Sequence, residues 1–150
     1  MNKLALATSL ALFAASSAQS QYIGNNPGNA PWGAGPSGMP KGVKMIVVSG
    51  DPAKEGPYTI RLRFPAGYAI GPHKHPTEEQ LKVVSGGLTF GLGTSEKRTA
   101  VKRLTKGATA TVPANAYHFA STSVGATVEF AGTGPFRIDY AQAKDDPRTK

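Results

Sequence analysis

The chain has 150 residues and no cysteine, and its 17 Lys and Arg outnumber 9 Asp and Glu for a net charge of +8. That length gives one domain with a core of its own, and the missing cysteine excludes thiol catalysis, thiolate metal sites and disulfide scaffolds. Gly (18) and Pro (12) together make up a fifth of the residues, which suits short strands and turns and argues against a helical bundle.

Residues 1–20 have the layout of a cleavable signal peptide. A short basic start at Lys3 is followed by an apolar run from Leu4 to Ala15 and by small residues up to Ser20. The run is short of the ~20 apolar residues that span a bilayer, so a secreted or periplasmic protein is expected. Cleavage falls after Ala18 or Ser20, leaving no membrane span in the mature chain. Residues 21–42 are rich in Gly, Pro and Asn without periodicity and read as an irregular N-terminal arm, with Trp32 its one large anchor.

From residue 43 the pattern becomes one of short strands. Candidates are 43–49, 58–64, 81–85, 88–92, 99–104, 109–112, 117–121, 126–131 and 136–140, separated by turn residues. Ile60, Leu62 and Phe64 alternate with Arg61 and Arg63, and Phe136, Ile138 and Tyr140 alternate with Arg137 and Asp139, each giving one dry face and one wet face. No window after the signal segment carries a helical apolar stripe. Residues 43–140 therefore read as one all-β domain, a sandwich or small barrel with jelly rolls included, and residues 141–150 as a polar, loose C-terminal tail. The basic cluster Lys97, Arg98, Lys102, Arg103 and Lys106 lacks interleaved aromatics. It reads as a solvated face rather than a nucleic-acid site.

The three histidines of the whole chain carry the chemistry. His73 and His75 are two apart, so on a strand both imidazoles reach the same side while Lys74 points away. Glu79 begins the next strand and shares the parity of Leu81 and Val83, whereas Glu78 falls on the solvent side. Two imidazoles and one carboxylate form a facial set for one divalent ion. His118, just after the turn Pro113-Ala114-Asn115, supplies a fourth ligand. The donor types exclude soft thiolate sites and suit Fe, Mn, Zn, Ni, Co or Cu. Thr77 and Gln80 lie close enough in sequence to orient those side chains, and Phe90 and Tyr140 fall on apolar faces as core or pocket wall. Tyr117 and Phe119 flank His118 and face the other way, to be covered by Trp32 of the arm or by a second subunit.

Gly67, His73-x-His75, Glu79 and Gly86 resemble the first motif of the cupin superfamily, and Gly107, Pro113-x-Asn115 and His118 resemble the second. Asn115 stands where that family usually has Gly, and Thr122 where it often has Asn. Gly50-Asp51-Pro52 and Gly134-Pro135-Phe136 are similar to stretches of small secreted bacterial single-domain cupins. The resemblance implies a cupin jelly-roll barrel (a double-stranded β-helix), a metal ion on His73, His75, Glu79 and His118, and a homodimer. The expected function is that of a small metalloenzyme acting on a small oxygenated organic molecule. Dioxygenase-type oxidation comes first, then isomerase or decarboxylase chemistry. The alternative is a non-catalytic, metal-dependent ligand-binding, sensor or envelope protein.

Overall fold

In the computed structural model the described residues are 30–94 and 98–150. The expected signal segment, the first part of the arm and Lys97 of the basic cluster lie outside them. Ten strands follow one another: β1 (Gly33–Ala34), β2 (Lys44–Ser49), β3 (Gly56–Phe64), β4 (Ala69–Lys74), β5 (Glu79–Gly93), β6 (Arg98–Thr105), β7 (Thr109–Val112), β8 (His118–Ser121), β9 (Ala126–Gly134) and β10 (Asp139–Tyr140). Among the described residues no helix is long and apolar enough to cross a membrane.

All pairings are antiparallel. One sheet runs β1-β2-β3-β9-β5, with β7 also on the first half of β5. The other runs β10-β4-β8-β5, with β6 also on the second half of β5. The strand β5 therefore belongs to both sheets, and the sheet curls around it into a half-barrel. The register with β9 shifts between Val83 and Ser85, just ahead of a bend at Gly86. Gly86 sits at φ 75°, and a Cβ there would collide with the carbonyl oxygen of Gly125, so glycine is required by backbone conformation and by space.

The sequence reading separated 81–85 from 88–92, but the structure joins them. Turn chemistry at Ser85-Gly86-Gly87 bends the strand without ending it. The expected strand 136–140 shrinks to the two residues of β10, although its alternation survives: Ile138 is buried and Arg137 exposed.

Alternation on β3, β9 and β5 builds the core. In register, Leu62, Val128 and Val83 form one inner row, and Ile60, Phe130 and Leu81 form the next. Ile60, Val83 and Val128 are fully buried, each contributing about 1.5–3 kcal/mol of burial. The row beyond is Tyr58, Gly132 and Glu79, so the same parity that packs the core carries one carboxylate inward. On the outer face of this sheet Arg61 pairs with Glu129 at 2.7 Å.

Two features depart from the sequence reading. The C-terminal segment is not loose: Ala143–Asp145 and Pro147–Thr149 form 3-10 turns. Ala141 N donates to Pro72 O (2.8 Å) and Arg148 Nη2 to Ile138 O (3.0 Å), so backbone carbonyls at the sheet end hold the polar tail. Trp32 does not cover Tyr117 and Phe119. Its ring lies 3.9 Å from the Arg63 guanidinium, because β1 joins the sheet at β2, far from β8. Phe119 is buried where Gly91 leaves room for its ring, and Lys74 Nζ lies 5.3 Å from the Tyr117 ring.

Candidate metal centre

The site forms where the second sheet faces the cavity. His73 on β4 is the direct partner of His118 on β8, Tyr140 flanks His73, and Leu92 flanks His118. Side chains opposite one another across an antiparallel pair share a face, so register alone aims both imidazoles inward. His75 lies just past the end of β4 and is placed by its surroundings. Its carbonyl accepts from Asn115 N at 2.8 Å, and Asn115 holds the left-handed conformation at φ 61°. Asn tolerates that conformation better than most residues.

The three rings crowd together, with centroids 4.2 Å apart for His73 and His118, 5.1 Å for His73 and His75, and 5.2 Å for His75 and His118. One ligating atom from each lies within 4.8 Å of the others, and all three residues are buried. Glu79 is not a member of that mutually close trio. Its Oε2 stands 3.5 Å from His75 Nε2, at the edge of the cluster, and it is buried as well.

Each imidazole is fixed by a backbone carbonyl. His73 Nδ1 is 2.8 Å from Gly71 O, His75 Nδ1 is 2.6 Å from Arg137 O, and His118 Nδ1 is 3.1 Å from Ala116 O. A carbonyl oxygen only accepts, so each Nδ1 carries the hydrogen and donates. That leaves Nε2 of every neutral ring with its lone pair free for an acceptor role. Three ring nitrogens of fixed tautomer, gathered within 4.8 Å of one another, form a donor set whose chemistry fits a divalent metal.

Electrostatics agree with that reading. Burial holds His73 well below the ordinary imidazole range, helped by its His118 and His75 neighbours and opposed by the Gly71 bond. Burial likewise pushes His118 down to about 4. Both rings are therefore neutral near neutral pH, as metal ligation requires. Burial raises the Glu79 carboxyl, with His75 pulling the other way, so the carboxylate is costly to ionise until a cation arrives beside it.

The four residues line a cavity of about 30 Å³ whose other walls are apolar and include Phe90, Phe130, Phe136 and Ile138. Phe90 thus sits where the sequence placed it, 5.8 Å from the His118 ring. Tyr140 lies 5.8 Å from the His73 ring, and its hydroxyl donates to Gly38 O at 2.8 Å. Gln80 is exposed on the opposite face of β5. Thr77 donates to Thr133 O (3.0 Å). The orienting role expected of these two residues falls instead to the carbonyls of Gly71, Ala116 and Arg137. Sequence reasoning missed Met39 and Phe136 as cavity walls. The alternation of Phe136 with Ile138 was a signal for one of them, and nothing in the arm marked the other.

Comparison with known proteins supports the fold. No family model matches the sequence, and no curated protein does. Among solved structures, the polyketide cyclase RemF from Streptomyces resistomycificus superposes with a TM-score of 0.63 at 13% identity, over 77% of this chain and 84% of that one. An RmlC-like cupin from Shewanella frigidimarina NCIMB 400 gives 0.55 at 18%, over 65% and 80%. A chain from the structures of the DMSP lyases RdDddP and RnDddQII gives 0.56 at 23%, over 67% of this chain. The present chain spans about half the length of that lyase chain, 53%. The fold is that of the cupin superfamily, a curled antiparallel jelly-roll barrel.

Proposed function

We propose that this protein is a metal-dependent enzyme in which His73, His75 and His118, with Glu79 beside them, hold one divalent ion and present it to a small oxygenated organic molecule. The observation that carries this reading is the set of three buried imidazoles, each locked by a carbonyl on Nδ1, with one ligating atom from each within 4.8 Å of the others. The ion, when bound, supplies a Lewis acid with open positions for an oxygen donor and, if iron or manganese, a redox centre. The chain supplies the rest. The Gly71, Ala116 and Arg137 carbonyls keep the rings from turning, Glu79 offers a negative charge at one edge, and the apolar walls exclude water. Oxidation by dioxygen is the first reaction class, with isomerisation or decarboxylation behind it. Activity outside the cytoplasm is proposed from the signal-like first 20 residues.

Likeness to a polyketide cyclase and a DMSP lyase supports an enzyme on this fold, although fold alone does not assign chemistry. One observation favours the rival reading of a non-catalytic binding protein: among the described residues, no acid or base besides the four of the site lines the cavity.

The test is elemental analysis of untagged protein purified without added metal, beside His75→Ala. About one equivalent of iron or manganese, lost in the variant, supports the reading, and oxygen uptake with a substrate panel then separates enzyme from binder. One equivalent of zinc moves the reading to non-redox chemistry. No metal in either protein after reconstitution overturns it.

A further inference from the structure

Resting on the metal reading above, we infer that the site takes a compact, largely apolar ligand carrying one or two oxygen donors, not a sugar, polyol or phosphate, and that Met39 sets its size. Among the described residues, His73, His75, Glu79 and His118 are the only polar ones that line the cavity. Its remaining walls are aliphatic, aromatic or thioether side chains such as Leu62, Leu81, Phe90 and Ile138. An oxygen donor can meet the ion, but any further hydroxyl would be buried against these walls without a partner, at the cost of a lost hydrogen bond.

The net charge of +8 suggests anionic substrates at first sight, yet no Lys or Arg among the described residues lines the cavity. Arg61, Lys82 and Lys106 border a separate hollow on the outside of the first sheet, and Arg63 is spent on Trp32. A phosphate or polycarboxylate inside would find, among the described residues, no cation other than the ion itself.

Met39 enters from the N-terminal arm and lines the same cavity as the histidines. Its neighbours are tied down: Tyr140 Oη donates to Gly38 O and Tyr68 Oη to Pro40 O, both at 2.8 Å. The space left, about 30 Å³, holds an ion and little water. A ligand of several carbons therefore needs Met39 to yield, and a flexible thioether does so more readily than the aromatic walls.

The test uses the cobalt(II)-loaded full chain, with visible absorption of the cobalt as readout. Hexanoate and gluconate share a chain length and a single carboxylate and differ in hydroxyls. Hexanoate is expected to shift the cobalt bands with an apparent Kd at least about tenfold lower than gluconate. Met39→Ala is expected to improve octanoate binding by about tenfold, and the volume-conserving Met39→Leu to leave it unchanged. Gluconate binding as tightly as hexanoate, with cobalt bands present, overturns the apolar assignment alone. Octanoate binding alike to wild type and Met39→Ala overturns the size role. Wild-type protein without cobalt bands overturns the metal reading and, with it, this inference.

Discussion

His73, His75 and His118 each donate Nδ1–H to a main-chain oxygen rather than to a carboxylate, so no orienting group adds charge beside the rings. This bears on acid stability. His73 and His118 have folded pKa values depressed by burial, so in the metal-free protein the unfolded chain takes up protons first as pH falls. Each ring then contributes a loss that begins near the unfolded value of 6.5 and grows as pH falls toward the folded value, with a limiting slope of about 1.4 kcal/mol per pH unit. Glu79, raised by burial from 4.5, has the opposite sign: its penalty appears as pH rises above 4.5. Two imidazoles outweigh one carboxyl, so metal-free stability should climb between pH 4.5 and 6.5. Urea midpoints measured across that window check the point, and a flat or falling series contradicts it. The inward aim of these residues was legible in the sequence because strand parity is a property of spacing alone. Their anchoring was not. Arg137 lies 62 residues from His75 and contributes only its carbonyl, which every residue has.

The long strand β5 shows what local patterns reveal and hide. Its apolar alternation from Leu81 to Val83 and from Leu88 to Leu92 was plain in the sequence. Its continuity through Ser85-Gly86-Gly87 was not, since these residues have the chemistry of a turn. Only pairing with β9 and β8 on the two sides of the bend decides between a turn and a kinked strand. The two-residue strand β1 was invisible for a related reason: its Gly33 and Ala34 carry no pattern, and β2 alone defines it. Because Gly86 combines positive φ with a blocked Cβ position, Gly86→Ala should cost at least about 2 kcal/mol. A urea midpoint unchanged from wild type would show that the bend can be made another way.

At the scale of the molecule, both ends of the described chain close on the barrel. The arm is held at Gly38 and Pro40. The C-terminal segment is held through Ala141 on Pro72 O and Arg148 on Ile138 O, while Thr149 Oγ1, donating to Ala143 O at 2.9 Å, ties the segment to itself. Polarity misled the reading of residues 141–150, because these contacts use backbone carbonyls and an Asp146–Arg148 ion pair at 2.8 Å rather than apolar side chains. Arg148 braces the carbonyl of Ile138, a buried wall of the cavity. Removing residues 141–150 should therefore lower Tm by at least about 5 °C. Differential scanning calorimetry reads this directly, and an unaltered Tm would mean the tail adds nothing to the barrel.

The pairing of His73 with His118 across β4 and β8 has a kinetic consequence. His73 and His75 are neighbours along the chain and stay close in any conformation, whereas His118 arrives only when a loop of more than forty residues has closed. A refolding chain thus presents a weak two-nitrogen trap early and a full pocket late, in a topology dominated by distant pairings and so slow to complete. An ion caught by the first pair would act as a rivet waiting for its second plate, speeding closure of the barrel around itself.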